Sequence, residues 1–156
     1  MEAWPPDGTV LDLRCPPQTD VLHLIRGVVV TVSREIGFAP DDTSLIELSV
    51  DEACTNVIRH AYGETPDALS ASAFLRVQLC PAADRLAIRV IDRGAGLPRA
   101  SLKGVGSIEE YASQPEPRGL GLFIIGQFMD EVACESPPGS GTVLFMVKYL
   151  RPPGGQ

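Results

Sequence analysis

Two alternating stretches lie back to back in the middle of the chain. Leu75, Val77 and Leu79 alternate with other residues across 74–80, and Leu86, Ile88 and Val90 do so across 85–92. Only Pro81-Ala82-Ala83-Asp84 separates them. Period-two alternation predicts two strands, each with one buried face. Four residues cannot carry a chain back to a parallel neighbour, so the pair is a hairpin. Any fold for this sequence is built round an antiparallel ribbon.

The flanking segments add to it without alternating. Leu11, Leu13 and Cys15 predict a strand over 9–15. Leu22, Ile25, Val29, Val32 and Ile36, stepping by three and four, predict a helix capped by Thr19 or Asp20 and closed by Gly37. Asp41, Asp42 and Thr43 offer caps for a second helix that runs to about Tyr62 and stops at Gly63. After the hairpin, 119–129 reads as a helix opening on glycines, and 131–135 and 142–148 as strands round the turn Pro137-Pro138-Gly139-Ser140-Gly141. Strands and helices do not alternate, which disfavours a doubly wound parallel sheet. The expectation is α+β: a two-layer sandwich of one mostly antiparallel sheet with helices on one face. A single domain over 9–150 accounts for the chain, with short tails at 1–8 and 151–156. The Gly-, Pro- and Ser-rich stretch at about 97–118 reads as a functional lid.

Charge and cysteine usage narrow the function. Thirteen Lys and Arg against twenty Asp and Glu give a formal charge of −7. A chain that neutralises phosphates along DNA or RNA shows the opposite balance, so direct nucleic-acid binding is not expected. The start, Met1-Glu2-Ala3-Trp4-Pro5-Pro6, has neither the basic nor the apolar region of a signal peptide, and no apolar run reaches a membrane span. Cys15, Cys54, Cys80 and Cys134 are far apart and embedded in apolar segments, as free buried thiols are in a reducing cytoplasm.

Three motifs carry chemistry. On the second helix Glu52 and Asn56 stand one turn apart, and Arg59 and His60 share their arc. Such a pair can be a solvated polar face, an oxygen site for Mg²⁺, or a base beside a metal ligand. Asp92-Arg93-Gly94-Ala95-Gly96 follows the second hairpin strand. Parity puts Asp92 in the row of Leu86, Ile88 and Val90, so its carboxylate points to the core and needs a donor; an exocyclic amine such as adenine's would serve, or a tight turn after the strand. Arg118-Gly119-Leu120-Gly121-Leu122 opens a helix where backbone N–H groups and Arg118 could hold an anion, or where a lid could hinge. Each string is common. Their order along one chain is not.

In that order the motifs resemble those of the GHKL ATPases, and within them the bacterial anti-sigma factor serine/threonine-protein kinases. Residues 49–62 are similar to the N-box helix, Asp92-Arg93-Gly94-Ala95-Gly96 to the first glycine box and Arg118-Gly119-Leu120-Gly121-Leu122 to the second. Phe128-Met129-Asp130-Glu131-Val132 and Gly139-Ser140-Gly141-Thr142 match in character. The resemblance spans residues 9–148 and implies a Bergerat fold. It implies ATP and Mg²⁺ as cofactors, with Asn56 holding the metal and Glu52 acting as the general base on a partner's serine hydroxyl. Asp92 would take the adenine amine, Gly94 and Gly96 would lie along the ring, and Thr142 would assist Asp92. Arg118, Gly119, Leu120 and Gly121 would hold the phosphates, with Arg59 and His60 as further candidates beside them. The implied partners are an anti-anti-sigma STAS-domain protein as substrate and an RNA polymerase sigma factor held inactive by a homodimer of this chain. An ATP-binding partner-switching module without transferase activity is the alternative.

Overall fold

The hairpin expected from the alternation lies at the centre of a five-stranded sheet. The computed structural model describes residues 10–62, 73–94, 120–137 and 139–151. The strands are β1 (Leu11–Cys15), β2 (Leu75–Pro81), β3 (Arg85–Asp92), β4 (Glu131–Glu135) and β5 (Thr142–Tyr149). They run in the order β1-β2-β3-β5-β4 with every neighbouring pair antiparallel. Register pairs Val77 with Val90, Ile88 with Met146 and Val90 with Leu144, so one face of the sheet is a continuous apolar surface.

Among the described residues three helices cover that face: α1 (Leu22–Ile36), α2 (Pro40–Asn56) and α3 (Leu120–Phe128). Leu22, Ile25 and Val29 from α1, Ile46, Val50, Ala53 and Cys54 from α2, and Ile125 from α3 form one cluster with the inward row of the sheet. Each fully buried aliphatic side chain contributes roughly 1.5–3 kcal/mol. The architecture is the α+β two-layer sandwich expected from the sequence. All four cysteines are free, with Cys54 and Cys80 buried and Cys15 and Cys134 half-buried. Among the described residues, no helix is long and apolar enough to cross a membrane.

Helix ends differ from the sequence expectation. Neither Thr19 nor Asp20 caps α1; residues Thr19–Val21 form a 3₁₀ turn that feeds it, and its first flanking residue is Val21. Asp41, Asp42 and Thr43 lie inside α2 rather than at its cap, because Pro40 occupies the first helical position after Ala39. Proline there has its φ preset and no N–H to leave unpaired, and the acids beside it complement the positive end of the helix. Gly37 does close α1, at φ 105°, with its N–H and that of Phe38 both on the carbonyl of Ser33. The second helix changes pitch after Asn56, where Val57–Ala61 form a π-helical turn.

One buried charge ties the layers together. Lys148 takes an inward position on β5 and is 3 % exposed. Its Nζ donates to the carbonyl of Phe128 at 2.8 Å and lies 3.6 Å from Asp130 and 3.8 Å from Asp42. The end of α3 is thereby held to the start of α2.

Candidate functional site

The inward row of β3 ends on a carboxylate. Asp92 follows Leu86, Ile88 and Val90 on the core side and is only 4 % exposed. The Gly94 N–H donates to its Oδ1 at 2.7 Å. Thr142, its register partner on β5, donates to it from both the hydroxyl and the backbone. Burial outweighs these donors and pushes the Asp92 carboxyl above the usual carboxylate range. The Thr142 hydroxyl lies 3.3 Å from Ser136 Oγ, which reaches the Gly141 carbonyl at 3.2 Å. Gly141, at φ 77°, passes so close to the Asp92 backbone that a Cβ there would come within 2.6 Å of Arg93 Cα and 2.8 Å of the Asp92 carbonyl carbon.

Asp92 and Thr142 form the polar wall of a cleft that is open to solvent at its mouth. Val57, Ala61, Val90, Leu122 and Leu144 make its apolar walls, and Asn56 and His60 stand at the α2 side. An apolar slot with one inward carboxylate suits a flat heteroaromatic ring bearing an amine.

Beside the cleft, Glu52 and Asn56 lie against the first turn of α3. A Cβ on Gly121 would sit 2.7 Å from Asn56 Nδ2 and 2.9 Å from Glu52 Cγ, so any larger residue there would push this pair of side chains aside. The carboxylate and the amide therefore meet the positive end of α3, where an anion is favoured. Among the described residues, no group of three or more His, Cys, Asp or Glu could hold a metal ion. One carboxylate and one amide oxygen suit Mg²⁺, which takes few protein ligands and fills its shell with phosphate and water.

Beyond the π-helical turn, Tyr62 fastens this end of the cleft. Its hydroxyl donates to the Phe74 carbonyl at 2.8 Å and accepts the N–H groups of Phe74 at 3.2 Å and Arg93 at 2.9 Å. Gly94 packs against the Ala61 carbonyl. The structure thus brings together Glu52, Asn56, His60, Asp92, Gly94, Gly121 and Thr142. Arg59 is exposed and is not among the residues lining the cleft. Leu120 is 52 % exposed at the start of α3, and Leu122, not Leu120, lines the cleft. Gly96, Arg118, Gly119 and the expected lid at 97–118 lie outside the described residues. Sequence reasoning gave no individual role to Tyr62, Leu122, Ser136 or Gly141. Tyr62 and Gly141 lie in stretches that carry the family resemblance, which was a usable signal; Ser136 gave none.

Comparison with known proteins agrees with this geometry. Residues 15–148 match the family described as the histidine kinase-like ATPase domain. Serine-protein kinase RsbW of Bacillus mycoides and that of Bacillus cereus are each 31% identical over 144 residues, covering 90% of this chain and 85% of theirs. Among solved structures, the histidine kinase domain of the Erythrobacter litoralis EL346 blue-light activated histidine kinase superposes with a TM-score of 0.52 at 18% identity. That match covers 81% of this chain and 60% of the other, and speaks to the fold. The chain belongs to the histidine kinase-like (GHKL) ATPase family, and within it to the anti-sigma factor serine/threonine-protein kinases.

Proposed function

We propose that this chain is a Mg²⁺- and ATP-dependent protein serine/threonine kinase of the cytoplasm. It acts as an anti-sigma factor: as a homodimer it binds an RNA polymerase sigma factor, and it phosphorylates an anti-anti-sigma STAS-domain protein. The observation that carries the reading is Glu52 and Asn56, one helical turn apart, both lying against Gly121 beside the cleft that Asp92 closes.

In this reading Asp92 accepts the exocyclic amine of adenine, and Gly94 and Gly96 let the ring approach the backbone. Thr142 holds the carboxylate. The phosphates run toward α3, where Arg118, Gly119, Leu120 and Gly121 supply N–H groups and charge. Asn56 holds Mg²⁺, which would neutralise charge on the transferring phosphoryl group. The serine hydroxyl oxygen of the partner bonds to the γ-phosphorus, the bond from that phosphorus to the β–γ bridging oxygen breaks, and ADP leaves. Glu52 takes the hydroxyl proton. His60, at the cleft, can reach phosphate or ribose, and Arg59 is placed for the partner's surface rather than the nucleotide. Positioning and charge supply most of the acceleration in such transfers.

Incubating the full chain with labelled ATP, Mg²⁺ and a cognate STAS-domain protein tests the reading. Label is expected on the partner's serine or threonine, and Glu52→Ala is expected to abolish transfer while leaving ATP affinity within about twofold. Intact ATP together with nucleotide-dependent partner binding would replace the kinase by a non-enzymatic partner-switching module.

A further inference from the structure

The helices cover one face of the sheet, and the other face is rich in arginine. Along a strand, parity decides which face a side chain takes. The outward rows of β1, β2 and β3 hold Arg14, Arg76, Arg85 and Arg89, with Arg93 one step beyond β3, against Asp12 alone among the acids. The chain as a whole carries −7, so this face runs against its charge. Arg14 and Arg76 are direct cross-strand partners, a placement that repels and that the fold does not require.

Asp12 answers only part of that charge. Its Oδ1 accepts from Arg76 Nε at 2.8 Å, and its Oδ2 accepts from a second Arg76 nitrogen and from Gln78 Nε2 at 3.0 Å. Both oxygens are therefore taken. Arg14 and Arg93 are exposed and, among the described residues, have no ion pair. They are held over one ring instead. Phe74 is 7 % exposed, with the guanidinium carbon of Arg14 at 4.4 Å from its centroid and that of Arg93 at 5.6 Å. The main chain beneath is fixed as well, since the N–H groups of Phe74 and Arg93 both bond the Tyr62 hydroxyl.

Sharing a ring keeps the two charges within about 10 Å of each other. On an extended chain, side chains two residues apart point the same way at a spacing of about 6.6 Å. Two carboxylates so placed can each meet one guanidinium. We propose that Arg14 and Arg93, stacked on Phe74, form a docking site for an acidic segment of a protein partner, bound extended with carboxylates two residues apart. The positive outward face steers such a segment to it. The site lies across the sheet from the cleft and does not depend on the nucleotide reading.

The test is fluorescence anisotropy of the full chain with a labelled peptide alternating Glu and Thr. One comparison peptide has Gln for Glu, and another has Glu at every third position, which sends successive carboxylates to opposite sides. Wild type is expected to bind the alternating acidic peptide, less tightly as salt rises, the third-position peptide more weakly, and the Gln peptide not at all. Arg14→Gln and Arg93→Gln are each expected to weaken binding about three- to fivefold, and the double variant about tenfold or more, with unchanged thermal melts. Arg34→Gln, which removes an exposed charge on α1, and saturating Mg²⁺ with ATP are expected to change nothing. Equal weakening by Arg34→Gln would reduce the site to general attraction and overturn it. Displacement by ATP would put the peptide in the cleft, and equal affinity for the third-position peptide would remove the spacing; either overturns the proposal. So would no binding by wild type, or a preference for single-stranded DNA or phosphatidylserine vesicles that the double variant loses.

Discussion

Gly139 and Gly141 sit in one turn at nearly the same φ, 74° and 77°, yet their surroundings differ. A Cβ on Gly139 would meet nothing within 4 Å, while one on Gly141 would press on the Arg93 and Asp92 backbone at 2.6 and 2.8 Å. Replacing either by alanine incurs the left-handed cost of roughly 1–2 kcal/mol, offset by about 0.4–1 kcal/mol from a stiffer unfolded chain. Gly139→Ala should therefore destabilise by about 1 kcal/mol. Gly141→Ala adds an overlap with main chain that cannot rotate away, worth roughly 1–3 kcal/mol. The difference between the variants, about 2 kcal/mol, isolates the close approach, since the φ cost cancels. In a chain of this length it corresponds to roughly 4–8 °C in Tm. Urea denaturation of both variants measures it, and ATP titration of the same samples measures its consequence. Only Gly141→Ala displaces the backbone that carries Asp92, so it alone should weaken nucleotide binding. Equal destabilisation by the two substitutions would refute the claim that Gly141 is there to let β5 approach β3.

Three further outcomes follow from the same geometry. Burial raises the Asp92 pKa in the folded chain, so its contribution to stability is fully present below its unfolded value and is lost as pH rises through the folded one. Asp92→Asn should then gain stability over wild type from about pH 4 upward, with no gain at lower pH, and should lose ATP binding; urea midpoints across pH and calorimetry check both halves. Tyr62→Phe leaves the N–H groups of Phe74 and Arg93 and the Phe74 carbonyl without their partner, an expected loss of about 1–3 kcal/mol seen in denaturant melts. Lys148→Met strands the Phe128 carbonyl and the Asp42 and Asp130 carboxylates. Because both carboxylates keep some solvent contact, the expected loss is about 2 kcal/mol, measurable by the same melts.

Local patterns carried much of this structure. Alternation alone identified β2 and β3 and turned Asp92 inward, because side-chain direction along a strand depends only on parity. Helical spacing put Glu52 and Asn56 together for a similar reason. What stayed hidden depends on register between distant segments. The Thr142 hydroxyl reaches Asp92 only because β5 pairs with β3 at that residue, and its place there came from family resemblance rather than from spacing. Ser136 enters from just past the end of β4, ahead of the motif that marks the turn into β5. Helical spacing put Arg59 and His60 in one arc with Glu52 and Asn56, yet only His60 lines the cleft, and nothing in Val57-Ile58-Arg59-His60-Ala61 announces the π-helical turn in which both lie. Asp41, Asp42 and Thr43, expected as caps, lie inside α2 because Pro40 takes its first position.

The charge of the chain acquires a place once these contacts are known. Residues 40–70 carry seven acidic side chains and one basic, which nearly accounts for the total of −7. On α2 these acids are not equivalent. Asp51 pairs with Arg26 at 2.7 Å, and Asp42 lies 3.8 Å from Lys148. Glu52, among the described residues, has no ion pair and lies against Gly121 at the start of α3. A carboxylate with its neighbours' charges answered and its own left open can take a proton or share a cation. A triphosphate brought to this helix would meet uncompensated negative charge unless a divalent ion stood between them, since unit charges about 4 Å apart interact by roughly 4 kcal/mol near a protein surface. In the proposed reaction the acidity of α2 therefore makes Mg²⁺ a condition of binding ATP as well as of transferring its phosphoryl group.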